Sequence, residues 1–81
     1  MKTQEIITRL IHENTDWKDK VNPEDHLINS LHIDSFDRLM LVSAIEDEFN
    51  ISIDEEALYK IEYVSDIIDS LNKKLFVKEA Q

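Results

Sequence analysis

The chain is expected to be all-α: a small four-helix bundle of three long helices and one short one, with a long ordered loop after the first helix. Three observations lead there. Apolar residues recur at helical spacing in several stretches, and no stretch sustains the alternation of a strand. The 81 residues also allow only one domain, here taken as residues 1–81.

Ile6, Ile7, Leu10 and Ile11 follow i, i+1, i+4, i+5 spacing, with Thr3 as N-cap. This predicts an amphipathic helix over residues 4–13, ended by Asn14 and Thr15. Residues 14–33 are long for a connection in so small a domain. Trp17, Val21, Leu27, Ile28, Leu31 and Ile33 can pin the connection to the core, and Pro23, Glu24 and Asp25 can open one helical turn. Residues 35–49 form the clearest helix: Asp34 is its N-cap, Asp37 sits where the helix dipole favours a carboxylate, and Asn50 suits a left-handed residue after its end. With no Gly in the chain, Asn must serve as the flexible turn residue. A short helix over 55–61 begins after Asp54. A last one over 65–75 carries Val64, Ile67, Ile68, Leu71 and Leu75 on one stripe after Ser65. Ile51-Ser52-Ile53 alternates but is too short for a strand.

Charge excludes several functions. Eighteen Asp and Glu against nine Lys and Arg give a net charge of -9, which argues against binding a phosphate backbone and for a basic partner surface. The acidity is local: residues 34–69 hold eleven carboxylates against Arg38 and Lys60, while acids and bases balance elsewhere. Absence of Cys removes a disulfide framework, a thiolate nucleophile and Cys-ligated metals. The polar start Met1-Lys2-Thr3-Gln4-Glu5 is not followed by an apolar run long enough for a signal peptide or membrane span, so a cytoplasmic protein is expected.

On a helical wheel of residues 36–49, Leu41, Val42, Ile45 and Phe49 make one apolar stripe, which reads as core. Phe36, Leu39 and Met40 fall opposite, with Ser43 among them and Glu46 and Asp47 flanking. Either the long loop covers this second strip, or it is an exposed docking face with acidic edges. Arg38 lies toward the core side but near enough to the helix start to reach solvent.

Ser35 stands at the first helical position, where backbone N–H groups lack intrahelical partners and an attached anion would be well placed. A serine there ordinarily serves only as a cap. As a catalytic nucleophile it lacks support: there is no G-x-S-x-G elbow, and His32 alone does not make a triad with it. The chain is expected not to be an enzyme. His12, His26 and His32 are too scattered for a metal site, and the acids lack EF-hand spacing.

Leu31-His32-Ile33-Asp34-Ser35-Phe36-Asp37, then Leu41-Val42-Ser43-Ala44-Ile45-Glu46-Asp47-Glu48-Phe49-Asn50-Ile51-Ser52-Ile53, resembles the acyl carrier proteins. Their pattern is Leu-Gly-x-Asp-Ser-Leu followed by a helix ending in Glu-Glu-x-Phe-x-Ile-x-Ile. Lys60-Ile61 and Val64-Ser65-Asp66-Ile67-Ile68 extend the similarity, which covers about residues 5–75, the long loop included. The resemblance implies a phosphoprotein in which 4′-phosphopantetheine, taken from coenzyme A by a holo-carrier synthase (a phosphopantetheinyl transferase), esterifies Ser35 beside Asp34. The arm's thiol would hold acyl groups as thioesters, in fatty acid biosynthesis or in a specialised branch of lipid metabolism or polyketide assembly. The same resemblance implies partner docking through Phe36, Asp37, Leu39, Met40, Ser43, Glu46 and Asp47 against basic patches on acyl-loading, ketosynthase or acyltransferase enzymes. It further implies an acyl cavity lined by Leu41, Ile45, Phe49, Ile53, Ile61 and Ile67; nothing in the sequence demands more than a monomer.

Several positions depart from the pattern. Phe36 replaces Leu, His32 and Ile33 replace Gly and a small residue, Asn50 replaces Gly, and Asp54 stands where Pro is frequent. Met40 is apolar where fatty-acid carriers usually have an acid, which hints at a specialised client. A peptidyl or D-alanyl carrier shares the serine and the bundle, and a non-covalent acidic helical interaction module remains the alternative of a different class.

Overall fold

The computed structural model describes residues 2–54, 56 and 59–72. Among the described residues the frame is made by α1 (Thr3–Asn14), α2 (Ser35–Phe49) and α3 (Val64–Asn72). There is no strand among the described residues; an isolated antiparallel bridge pairs His26 with Tyr63. The short helix expected over 55–61 falls on residues 55, 57 and 58, which lie outside the described residues, as do 73–75 of the expected last helix.

α1 starts one residue earlier than its apolar spacing suggests. Thr3 is not its cap but its first residue: Glu5 Oε1 accepts from the Lys2 N–H (3.1 Å), and Thr3 Oγ1 donates to Asn72 Oδ1 (3.1 Å), joining the start of α1 to the end of α3. Its end is closed by side chains, as expected. Thr15 Oγ1 donates to the Ile11 carbonyl (2.7 Å), Asn14 Nδ2 to Leu10 (2.8 Å), and the Lys18 ammonium to the His12 and Thr15 carbonyls.

α1 packs against both α2 and α3. Ile7, Leu10 and Ile11 of α1 meet Leu41 and Ile45 of α2 and Val64 and Ile67 of α3 in one core, which Val21, Leu27, Leu31, Ile33 and Ile61 complete. Residues 15–34 therefore contribute four core side chains. Ile28 is not one of them; it is exposed in the turn between the buried Leu27 and Leu31.

That turn is fastened at two levels. Main-chain bonds tie it to the start of α3: Leu27 N–H to Glu62 O (2.9 Å), Val64 N–H to Asp25 O (3.0 Å) and Ser65 N–H to Pro23 O (2.8 Å). Within it, His26 Nδ1 accepts from the N–H groups of Ile28 (3.2 Å) and Asn29 (3.1 Å), and its ring meets Tyr63 edge-on at 5.0 Å. Pro23 opens a β-turn rather than a helical turn, since Asp25 N–H bonds back to Asn22 O (3.0 Å) and Asp25 Oδ2 accepts from Asn22 N–H (2.8 Å).

α2 begins and ends as its sequence indicates. Asp34 Oδ1 accepts from Asp37 N–H (2.8 Å), and Asn50 is left-handed (φ 54°, ψ 52°), with Ile51 N–H closing on Glu46 O (3.0 Å). The stripe predicted as core divides: Leu41 and Ile45 are buried, Val42 and Phe49 only partly. Asp37 is partly desolvated at the helix mouth, with the charges of Asp34 and Asp16 nearby, and all three effects raise its carboxyl above the usual range.

Two outcomes follow. Ile45→Ala lowers the unfolding free energy by about 2–5 kcal/mol in chemical denaturation, because Ile45 is 1% exposed; a loss under about 1 kcal/mol would misplace the core. Asp37→Asn raises the thermal midpoint at neutral pH, where the raised carboxyl must be charged in the folded state. The gain disappears as pH falls through the carboxylate range, since the native Asp37 is then neutral. An equal gain at every pH would show that its charge is not strained.

Candidate functional site

Ser35 is exposed at the first position of α2, held there from both sides. Upstream, Ile33 is buried and its N–H bonds to Leu27 O (2.9 Å), so the last residue but one before the serine is part of the core. Downstream, the Arg38 N–H reaches Asp34 O (2.9 Å) as the first helical turn closes. The hydroxyl thus sits on a rigid helix start, next to first-turn N–H groups that a helix cannot satisfy internally. An exposed primary alcohol at a helix N-terminus fits a phosphate ester, whose charge the helix dipole favours.

His32 and Asn50, at opposite ends of α2, are the residues other than Gly with positive φ (56° and 54°) among those described. Both stand where the carrier pattern has Gly. Asn tolerates this conformation, and His is also enriched in it. His32 is exposed, and its ring lies 6.4 Å from that of Trp17, tilted by 50°. Trp17 Nε1 donates to Lys20 O (3.2 Å) and its N–H to Thr15 Oγ1 (3.1 Å). The start of the long connection therefore borders the first turn of α2: the Trp17 ring lies near that of His32, and Asp16 acts on Asp37. Sequence reasoning placed Trp17 only as a core anchor. The available signal was His32 at a glycine position, which demands an unusual backbone there.

The second apolar strip of α2 is open. Phe36 is 69%, Leu39 62% and Met40 44% exposed, so the long connection does not cover it. Ser43 and Asp47 are exposed beside it. Glu46 is different, since its Oε2 accepts from Ile53 N–H (2.8 Å) and ties the chain after α2 back to the helix. Arg38 is not held out in solvent; its Nη2 donates to the Ile61 carbonyl (3.3 Å). Of the residues expected to line an acyl cavity, Leu41, Ile45, Ile61 and Ile67 are buried, and Phe49 and Ile53 pack partly buried against them.

Among the described residues no group of three or more His, Asp or Glu is placed to hold a metal, and no helix is long and apolar enough to cross a membrane.

Residues 5–71 match the phosphopantetheine attachment site family. The chain is 37% identical over 57 residues to an acyl carrier protein of Thermosynechococcus vestitus, covering 70% of each chain. Its fold superposes on a candidate acyl carrier protein of Mycobacterium tuberculosis with a TM-score of 0.82 at 25% identity, over 88% of this chain and 96% of the other. An acyl carrier protein of Thermotoga maritima gives a TM-score of 0.76 at 33% identity, over 88% and 84%. The matched family domain carries a covalently bound 4′-phosphopantetheine, and its members work with phosphopantetheinyl transferases and biosynthetic enzymes as carriers rather than catalysts. With the family match spanning most of the chain and the fold and helix start in agreement, this protein belongs to the acyl carrier proteins.

Proposed function

We propose that Ser35 is the residue that receives 4′-phosphopantetheine, with Asp34 beside it during transfer, and that residues 1–81 act as one monomeric cytoplasmic carrier domain in a specialised acyl pathway. The observation that supports this most strongly is the exposed Ser35 at the first turn of α2, inside the matched region 5–71. When attached, the arm supplies the thiol that holds the acyl group. The protein's own residues hold the serine outward, keep the helix mouth open to solvent and offer a docking face next to it. A short helix over 55–61 completes the bundle in this reading, and an acyl chain would enter among Leu41, Ile45, Phe49, Ile53, Ile61 and Ile67.

The docking face combines the exposed Phe36, Leu39 and Met40 with Asp37, Ser43, Glu46 and Asp47. Carboxylates at its edges would steer basic client surfaces, while the apolar strip supplies contact area. Met40 replaces a charge with apolar surface in the middle of this face. That favours a client from a specialised lipid or polyketide route over a housekeeping fatty-acid synthase.

Incubation with coenzyme A and a broad-specificity pantetheinyl transferase should add the mass of one phosphopantetheine to the wild type and none to Ser35→Ala. Equal masses before and after, under conditions that modify a known carrier, would refute the assignment of Ser35. Glu46→Lys/Asp47→Lys should slow this modification and flatten its salt dependence while the helical circular dichroism persists. Unchanged kinetics with unchanged salt dependence would remove the acidic edge from docking.

A further inference from the structure

We propose that His32 is the counter-charge of the phosphodiester on Ser35: the imidazole, anchored beside the helix mouth by its contact with Trp17, pairs as imidazolium with the phosphate and positions the first bonds of the arm. This rests on the assignment of Ser35 as the attachment residue.

The case begins with an electrostatic conflict. A phosphodiester on Ser35 places a permanent negative charge next to Asp34 and Asp37, with Asp16 close enough to act on Asp37 as well. The N-terminus of α2 offsets part of this repulsion. Two cations, Arg38 and Lys18, are engaged elsewhere: Arg38 donates to the Ile61 carbonyl, and the Lys18 ammonium closes the end of α1 on the His12 and Thr15 carbonyls. Between residues 30 and 37, and likewise across Thr15, Asp16 and Trp17, His32 is the one side chain that can become positive.

Its setting is also unlike that of an ordinary surface histidine. The backbone at His32 is left-handed (φ 56°), a conformation that Gly adopts without cost and that a side chain makes less favourable. The His32 N–H bonds to Ile28 O (3.1 Å), fixing the turn, and the ring rests near Trp17 (6.4 Å). The indole is itself held through Nε1 on Lys20 O. An exposed imidazole is thus kept three residues before the serine, at a position where the simplest backbone solution would have no side chain.

Phosphorus NMR of the full chain, loaded with phosphopantetheine from coenzyme A, tests this directly. A phosphodiester does not itself titrate near neutrality, so any inflection of its resonance there reports a neighbouring group. In the wild type the resonance should move through an inflection in the range where imidazoles change charge, roughly pH 5–8. His32→Asn, chosen because Asn tolerates the left-handed backbone, should lose that inflection. His32→Lys should show none in that range and hold the resonance near the wild-type low-pH position. His12→Gln should retain the wild-type curve. A flat wild-type curve between about pH 5 and 8, or an inflection in that range that persists in His32→Asn, would overturn the proposal. Failure of every protein to gain a phosphodiester signal would overturn the assignment of Ser35 instead, and the role of His32 with it.

Discussion

The position of Ser35 at the start of α2 depends on how the long connection between α1 and α2 is tied to the start of α3. Ordering a residue's backbone costs about 1–2 kcal/mol, so a connection of this length survives as a fixed structure only if it contributes to the core. It does so through Val21, Leu27, Leu31 and Ile33, and its exposed backbone is paired with residues 62–65. Ile33 is buried two residues before the serine, and this sets where α2 begins. Loss of that anchoring would leave Ser35 on a helix with a frayed start.

α2 carries two apolar stripes on opposite sides. Leu41 and Ile45 bind the helix to α1 and the rest of the core, while Phe36, Leu39 and Met40 remain in solvent. A monomeric helix that serves only stability needs one apolar stripe, and the second adds nothing to folding. Arg38 and Glu46 connect the two sides to the chain that follows. Each uses a charged side chain to bond a main-chain group of Ile61 or Ile53, so the segment after α2 is attached to the same helix that presents the serine. Ser35, the exposed apolar strip and the buried stripe are therefore carried by one helix.

Much of this was legible in the residues. The spacing of Ile7, Leu10 and Ile11, the cap Asp34 and the left-handed Asn50 each have a local cause, and local causes are what a sequence displays most clearly. Tertiary contacts decided the rest. Thr3 was misread as a cap because its hydroxyl is taken by Asn72, far along the chain. Ile28 was expected in the core, but the turn closed by His26 faces it outward. The wheel left open whether the Phe36 strip is covered, since that turns on the path of the connection. The contact of Trp17 with His32 depends on the same path. His32 carries a further signal, because a side chain standing where the carrier pattern has Gly marks a left-handed position before α2, as Asn50 does after it.

Native-state hydrogen exchange on the unmodified protein tests the anchoring most directly. The amides of Leu27, Ile33 and Val64 should exchange as slowly as those of Leu41 and Ile45, because the connection and the helices then open together in one cooperative unit. Exchange of Leu27, Ile33 and Val64 at rates typical of exposed loops, while the α2 amides stay protected, would contradict this. The serine would then stand at the end of a connection that opens independently of the core.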